Sequence, residues 1–252
     1  MSPRRATGIA LAVAALLAVV AGCASDGLTN GASAVDKAAT LAAPPDPTAG
    51  LLEGPQLRSF LLTAADVPVG YRPAAAYTRD SGAVLAAASP VVPGADAVGC
   101  PSLTTTGFLS QLPGPNSASF AQDEFDDQSD QAISSEVDDY RGTDAATIMT
   151  AFLKRLSDCA TFLDKADPNQ PTYHVSTQAG PAIGADSVQF EITSSSYLGG
   201  ETGVVVRVGN LLVSVFHSTT RAGATGATAY GDAAKIAARI VAAIGPAHTA
   251  AP

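Results

Sequence analysis

Three cysteines, three histidines and one knot of carboxylates are the side chains of this sequence with chemistry to offer. The knot is "QDEFDDQSD", where Asp123, Glu124, Asp126, Asp127 and Asp130 offer oxygen ligands suited to a Ca²⁺ ion. It lacks the sixth-position Gly and the closing Glu of a helix-loop-helix calcium loop, and a solvated acidic hairpin accounts for the same residues. His174, His217 and His248 are isolated and show none of the spacings of a zinc site, so no metal is expected. His174 and His217 fall in strand-like runs and could face each other, but two ordinary sheet histidines are the favoured account. Nucleophile motifs fail too: there is no GxSxG elbow and no SxxK, and the paired carboxylates Glu191 and Glu201 mean nothing for acid-base work without geometry. "GATGATAYGD" lacks the P-loop Lys and a βαβ setting, so no cofactor is expected.

The cysteines separate by position. Cys23 follows Arg4, Arg5, an uncharged apolar stretch over 6–20 and the small pair Ala21-Gly22, the three-part layout of a secretory signal. About 15 apolar residues are too few for a spanning helix, which needs roughly 20. "VAGC" is similar to the bacterial lipobox, which implies cleavage before Cys23 and acylation of its thiol, and hence attachment to the membrane through the lipid. The competing assignment is a core thiol or a disulfide partner. Cys100 and Cys159 then remain as an even pair, which in an exported setting reads as one disulfide, or else as two buried free thiols.

Charge limits the partners. The chain has 14 basic and 23 acidic residues, a formal charge of −9, and loss of Arg4 and Arg5 with the signal makes it more negative by two. Nucleic acid is excluded as a partner, because binding it rests on basic contacts to phosphates, and so is a polybasic hold on anionic lipid.

The elements that must position these residues follow from pattern. Residues 1–22 are the signal, and 23–54 the lipidated cysteine and a tether rich in Ala, Pro, Thr and Gly, with a reach of about 30 Å. Residues 55–246 form one domain and 247–252 a tail. "GPQLRSFLLTAADVP" predicts a helix of about ten residues stopped before Pro68. "ASFAQDEFDD" and "AISSEVDDYR" alternate as half-buried strands, with Phe120, Phe125, Ile133 and Val137 as their core residues. The longest helix is expected over "GTDAATIMTAFLKRLSDCATFLDK", from Thr143 as N-cap to Lys165, with Cys159 on its buried face. Four strand runs follow, the last two joined at Gly209-Asn210, and then a helix over 227–244. The expected fold is α+β: a mostly antiparallel sheet of about six strands packed by two to three helices, with one disulfide.

Taken together, the lipobox, the tether, "LLTAADVPVGY", a cysteine before the first strand pair, a second in the long helix and a terminal strand-hairpin-helix resemble the extracellular sensor domain of PknH-type receptor serine/threonine kinases of mycobacteria and the actinobacterial lipoproteins that share it. The resemblance spans 57–244. It implies a non-enzymatic sensor-like domain with a ligand cleft between sheet and helices. The family's second disulfide has no counterpart in "GVVVRVGNLLVSVFHS", and the two cysteines are the only residues carried over. Leu153, Phe162, Tyr173, Phe190, Tyr197 and Phe216 are the bulky residues that would line an apolar cleft between the long helix and the last four strands, but core packing is the favoured account of them. The function expected is a lipid-anchored extracytoplasmic lipoprotein with a non-catalytic ligand-binding or sensor-like domain, its partner an apolar small molecule. The alternative is an interaction module docking on an envelope protein through a sheet edge or the acidic hairpin.

Overall fold

Alternation along "ASFAQDEFD" and "AISSEVDD" builds the first strong hairpin, and its register sets the rest of the sheet. In the computed structural model, which describes residues 50–88, 99–104, 107–127, 129, 131–178, 183–194, 200–219 and 226–244, β3 (Ser119–Asp126) and β4 (Ala132–Asp139) pair antiparallel over their whole length, with Ala121 opposite Val137 and Phe125 opposite Ile133. Two short strands, β1 (Arg72–Pro73) and β2 (Arg79–Asp80), pair with the outer side of β3. A second run of β5 (Thr161–Leu163), β6 (Thr172–Gln178), β7 (Asp186–Ser194), β8 (Gly200–Val208) and β9 (Leu211–Thr219) zigzags back from the far edge. It docks on β4 through β9, giving one antiparallel sheet in the order β1-β3-β4-β9-β8-β7-β6-β5. The described sheet therefore has nine strands rather than about six: the alternating runs were legible, but two-residue and three-residue strands carry too little pattern to be seen.

The helices are α1 (Gly54–Arg58), α2 (Asp144–Asp158) and α3 (Gly226–Ile244). α1 is shorter than its pattern suggests. It starts at a capping box, with Gln56 Oε1 accepting from the Glu53 N–H at 2.8 Å. The chain is fixed from Leu52 onward, whose N–H donates to Asp139 Oδ2 at 2.7 Å. α2 stops at Cys159 instead of reaching Lys165, because Thr161–Leu163 leave the helix to pair with β6; α3, with 19 residues, is the longest described helix.

Each face of the sheet buries a separate core. One holds Val204, Val206, Val213 and Val215 beneath Ile236 and Ile240 of α3, with Leu57 and Leu61 beside Phe125. Its helix is also held by polar ties: His217 on β9 meets Asp232 at 3.0 Å, and the Arg239 guanidinium grips Asp66 at 2.7 and 2.8 Å. Burial opposes the charge on Asp66, but Arg239 and Thr63 outweigh it and hold that carboxyl at about 2. The other core packs Ile148, Phe152 and Leu156 of α2 on Phe190, Ile192, Val205 and Leu212. Phe108, Phe152, Phe190 and Phe216 meet there at centroid distances of 5.0 to 5.4 Å.

Two local features secure that second core. Cys100 and Cys159 form a disulfide with 5.5 Å between their Cα atoms, clamping the helical turn Cys100–Thr104 to the end of α2. Gly203 leaves room for Phe190: a β-carbon there would lie 2.2 Å from the Phe190 ring. Replacing both cysteines by alanine frees a separation of 59 residues and is expected to lower the unfolding free energy by about 4 kcal/mol, read from urea denaturation. Gly203→Ala is expected to cost about 1–3 kcal/mol in the same measurement, and an unchanged midpoint would show that the ring can move aside.

Candidate functional site

The face of the sheet that carries α2 is only partly covered, and the remainder forms the site. Strand alternation sends Phe120, Gln122 and Glu124 of β3, Ser134, Glu136 and Asp138 of β4, Phe216 and Ser218 of β9 and Glu201 of β8 to this side. A hollow of about 510 Å³ is lined there by Tyr77, Arg79, Gln122, Glu124, Glu201 and Phe216, among others. A second, of about 600 Å³, is lined by Arg79, Asn116, Ser117, Phe120, Glu136 and Asp138, among others, so Arg79 belongs to both. The rim comes from the segment between β1 and β2, where the Tyr77 carbonyl accepts from Gln122 Nε2 at 3.0 Å and Arg79 lies over the Phe120 ring, 5.3 Å from its centroid.

Where the hollows meet, polar atoms converge over Gly107, whose φ of +76° favours glycine. Gln122 Oε1, an Arg79 guanidinium nitrogen and Glu136 Oε1 lie 3.7, 3.9 and 4.0 Å from the point a β-carbon on Gly107 would occupy. Gln122 and Asp138 are 3% and 1% exposed, yet Gln122 Oε1 and Asp138 Oδ2 have no hydrogen-bond partner among the described residues. Buried acceptors without donors cost free energy, on the order of 1–3 kcal/mol each, which sets these two atoms apart from the satisfied polar groups of the fold.

The carboxyls of this groove are held away from their ordinary behaviour. Burial, and then the neighbouring Asp138, push Glu136 well above the usual range, against the pull of Arg79. Burial lifts Asp138 to about 7 although Ser117 and Glu136 bond to it, and burial alone lifts Glu201 to about 8. Burial thus favours the protonated form of all three carboxyls of the groove. Neither described histidine joins them: His217 lies on the opposite face against Asp232, and His174 is exposed on β6, 3.3 Å from the Thr161 hydroxyl. The two do not face each other, since β7 and β8 separate their strands. Among the described residues no three His, Cys, Asp or Glu side chains are grouped to hold a metal.

The acidic knot is divided by the same alternation. Asp123 turns inward on the α3 side and accepts from the Ser135 hydroxyl, and burial raises it to about 6 in spite of that bond. Glu124 lines the groove, Asp126 is exposed, and Asp127 ties the turn by accepting from the Ser129 and Gln131 backbone N–H groups at 2.7 and 3.1 Å. Glu191 is exposed on β7, whereas Glu201 enters the groove. Core packing accounts for the described bulky residues: Phe190 belongs to the aromatic cluster, Phe162 and Tyr173 stack on each other 5.1 Å apart near the β5 edge, and Leu153 is 45% exposed. Only Phe216 of that set borders the groove. Cys23, Asp130, Tyr197 and His248 lie outside the described residues. Sequence reading missed Arg79, Gln122, Ser134, Glu136 and Asp138. The signal was there in β4, where Ile133 and Val137 alternate with Ser134, Glu136 and Asp138, but a polar face opposite an apolar one reads as solvent-facing.

Glu201 gives this electrostatic picture a measurable consequence. A carboxyl raised from 4.5 to about 8 leaves the folded state with an extra proton between those values, so its effect is absent below pH 4.5 and stability falls as pH climbs through 8. Glu201→Gln is expected to match the parent at pH 4 and to exceed it at pH 9 by about 1 kcal/mol or more, a Tm gain of roughly 2–4 °C for each kcal/mol. Urea and thermal melts at both pH values test this, and a difference that does not change with pH contradicts it.

The sequence matches no protein-family model and no curated protein. Among solved structures, the chain is similar to the extracellular domain of PknH from Mycobacterium tuberculosis, with a TM-score of 0.51 and 13% sequence identity over 75% of this chain and 96% of that one. At that identity the likeness establishes the fold, and the order of elements read from the sequence agrees with it.

Proposed function

We propose that this protein is a non-catalytic, sensor-like domain on the outer side of a cell membrane, carried on a tether from an acylated Cys23, and that its polar groove receives a small ligand. The observation that carries the ligand-binding reading is the pair of buried, unpartnered acceptors, Gln122 Oε1 and Asp138 Oδ2, on the walls of open hollows. Non-catalysis is supported by the fold shared with the extracellular domain of a receptor kinase. An extracytoplasmic site is supported by the disulfide, which persists in oxidising compartments, and by the fold shared with the extracellular part of a receptor kinase. No described helix is long and apolar enough to cross a membrane, so the anchor in this reading is the lipid on Cys23. An actinobacterial envelope is the setting the sequence resemblance points to, with a tether over 23–54 and the domain over 55–246.

Two experiments test the parts separately. Cys23→Ala is expected to move the protein from the membrane fraction to the soluble exported fraction and to abolish the acyl mass on the mature N-terminus, read by fractionation and mass spectrometry; membrane retention without an acyl mass contradicts the anchor. Native mass spectrometry of the chain purified from its own host is expected to show a small-molecule adduct that Gln122→Leu with Asp138→Leu removes. A folded protein that is consistently empty, with a protein partner recovered by crosslinking in cells, would instead favour a docking module.

A further inference from the structure

The lining of the groove also constrains the chemistry of its occupant. Among the described lining residues the titratable groups are the carboxyls of Glu124, Glu136, Asp138 and Glu201 and the Tyr77 phenol, and the cation is Arg79. The two unsatisfied buried atoms, Gln122 Oε1 and Asp138 Oδ2, are both of kinds that accept. An occupant that satisfies these acceptors brings donors, and positive charge on it favours the ionised form of the surrounding carboxyls over the protonated form that burial favours. The groove already holds one organic cation of its own, the Arg79 guanidinium, between the Phe120 ring and Glu136. Spacing completes the argument. Glu201 on β8 lies opposite Ser218 of β9, and Ser218 lies opposite Ala132 of β4, so the carboxyls from Glu201 to Asp138 are spread over two interstrand steps and six residues along β4. At about 3.3 Å per residue this is on the order of 20 Å. Such a row is too extended for one metal ion, in keeping with the lack of any grouped metal ligands among the described residues.

Resting on the groove reading above, we propose that the ligand is a linear organic polyamine, its ammonium groups distributed along the row from Glu201 to Asp138 and one N–H donating to Gln122 Oε1. A polyamine distributes several charges along a flexible chain, as the carboxyls are distributed along the strand. It also supplies donors without acceptors, which a sugar does not. Ionised carboxyls beside bound ammonium groups would be stabilised, reversing the burial that lifts them in the empty groove.

The test is isothermal titration of the full chain, purified in detergent, with spermine, and with sucrose and Mg²⁺ as neutral and metal probes. Saturable binding of one spermine is expected. It should weaken at least tenfold in Glu201→Gln with Asp138→Asn, and tighten severalfold in Arg79→Ala, which removes the competing cation. The first pair of substitutions is isosteric and removes buried charge, and thermal melts verify that the variants fold. Spermine affinity equal in parent and double variant would reveal only diffuse attraction to an acidic surface and overturn the proposal, as would binding of sucrose or Mg²⁺ in place of spermine. If spermine fails while the host-purified chain still carries another adduct, the polyamine is wrong and the groove reading stands; if both are absent, both fall.

Discussion

The eight-residue ladder between β4 and β9 is the interaction on which this molecule depends. On one side of it stands a local hairpin, β3 and β4, edged by β1 and β2. On the other stands the run from β5 to β9, each strand paired to its sequence neighbour. Among the described residues the strands of the two blocks pair with each other only at this ladder, from Ala132 opposite Ser218 to Asp139 opposite Leu211. Its partners lie about seventy to ninety residues apart, so forming it closes a large loop, and the gain must come from what the join buries. Val137 set beside Val213, and Ile133 beside His217, continue one apolar floor beneath α1 and α3.

Register across that ladder then decides the fate of every second residue. With Val137 down, Glu136 and Asp138 must be up, and the same parity sends Gln122, Phe216 and Glu201 up with them. On that upper face α2 covers strands on the β9 side of the ladder and stops at Cys159, where the disulfide and the start of β5 draw the chain to the far edge. The aromatic cluster fills the space beneath α2. Over β3 and β4 there is no described helix, only the turns carrying Phe108 and Tyr77, and a groove remains.

Keeping carboxyls half-dehydrated in such a groove runs against stability. Burial lifts Asp138 and Glu201 well above their ordinary values, and two acceptors go without donors, although apolar or smaller side chains would fit the same strands. The opposite face shows what the same chemistry looks like when it serves structure. There Asp66 is gripped by Arg239, and Asp232 is bonded by His217 and Lys235, so burial is outweighed and both carboxyls lie below the usual range. The contrast between satisfied acids under α3 and unsatisfied ones under no helix distinguishes scaffold from site.

Much of this was legible in order along the chain. Alternating runs marked β3, β4 and β6–β9, Gly209-Asn210 marked the tight hairpin through its need for positive φ, and cysteine parity marked the disulfide, because these signals are local or arithmetic. The shortest strands escaped because two or three residues have no period, and α2 was read too long because Phe162 and Leu163 extend a helical stripe as well as they fill a strand. The sequence by itself determined which residues share a face. Only the tertiary structure decided which face is covered, because the cover comes from α2, α3 and the loops, elements far away in sequence. That is why Glu136 and Asp138, outward-facing by pattern, are buried in fact, and why the groove is lined by carboxyls rather than by the bulky apolar residues.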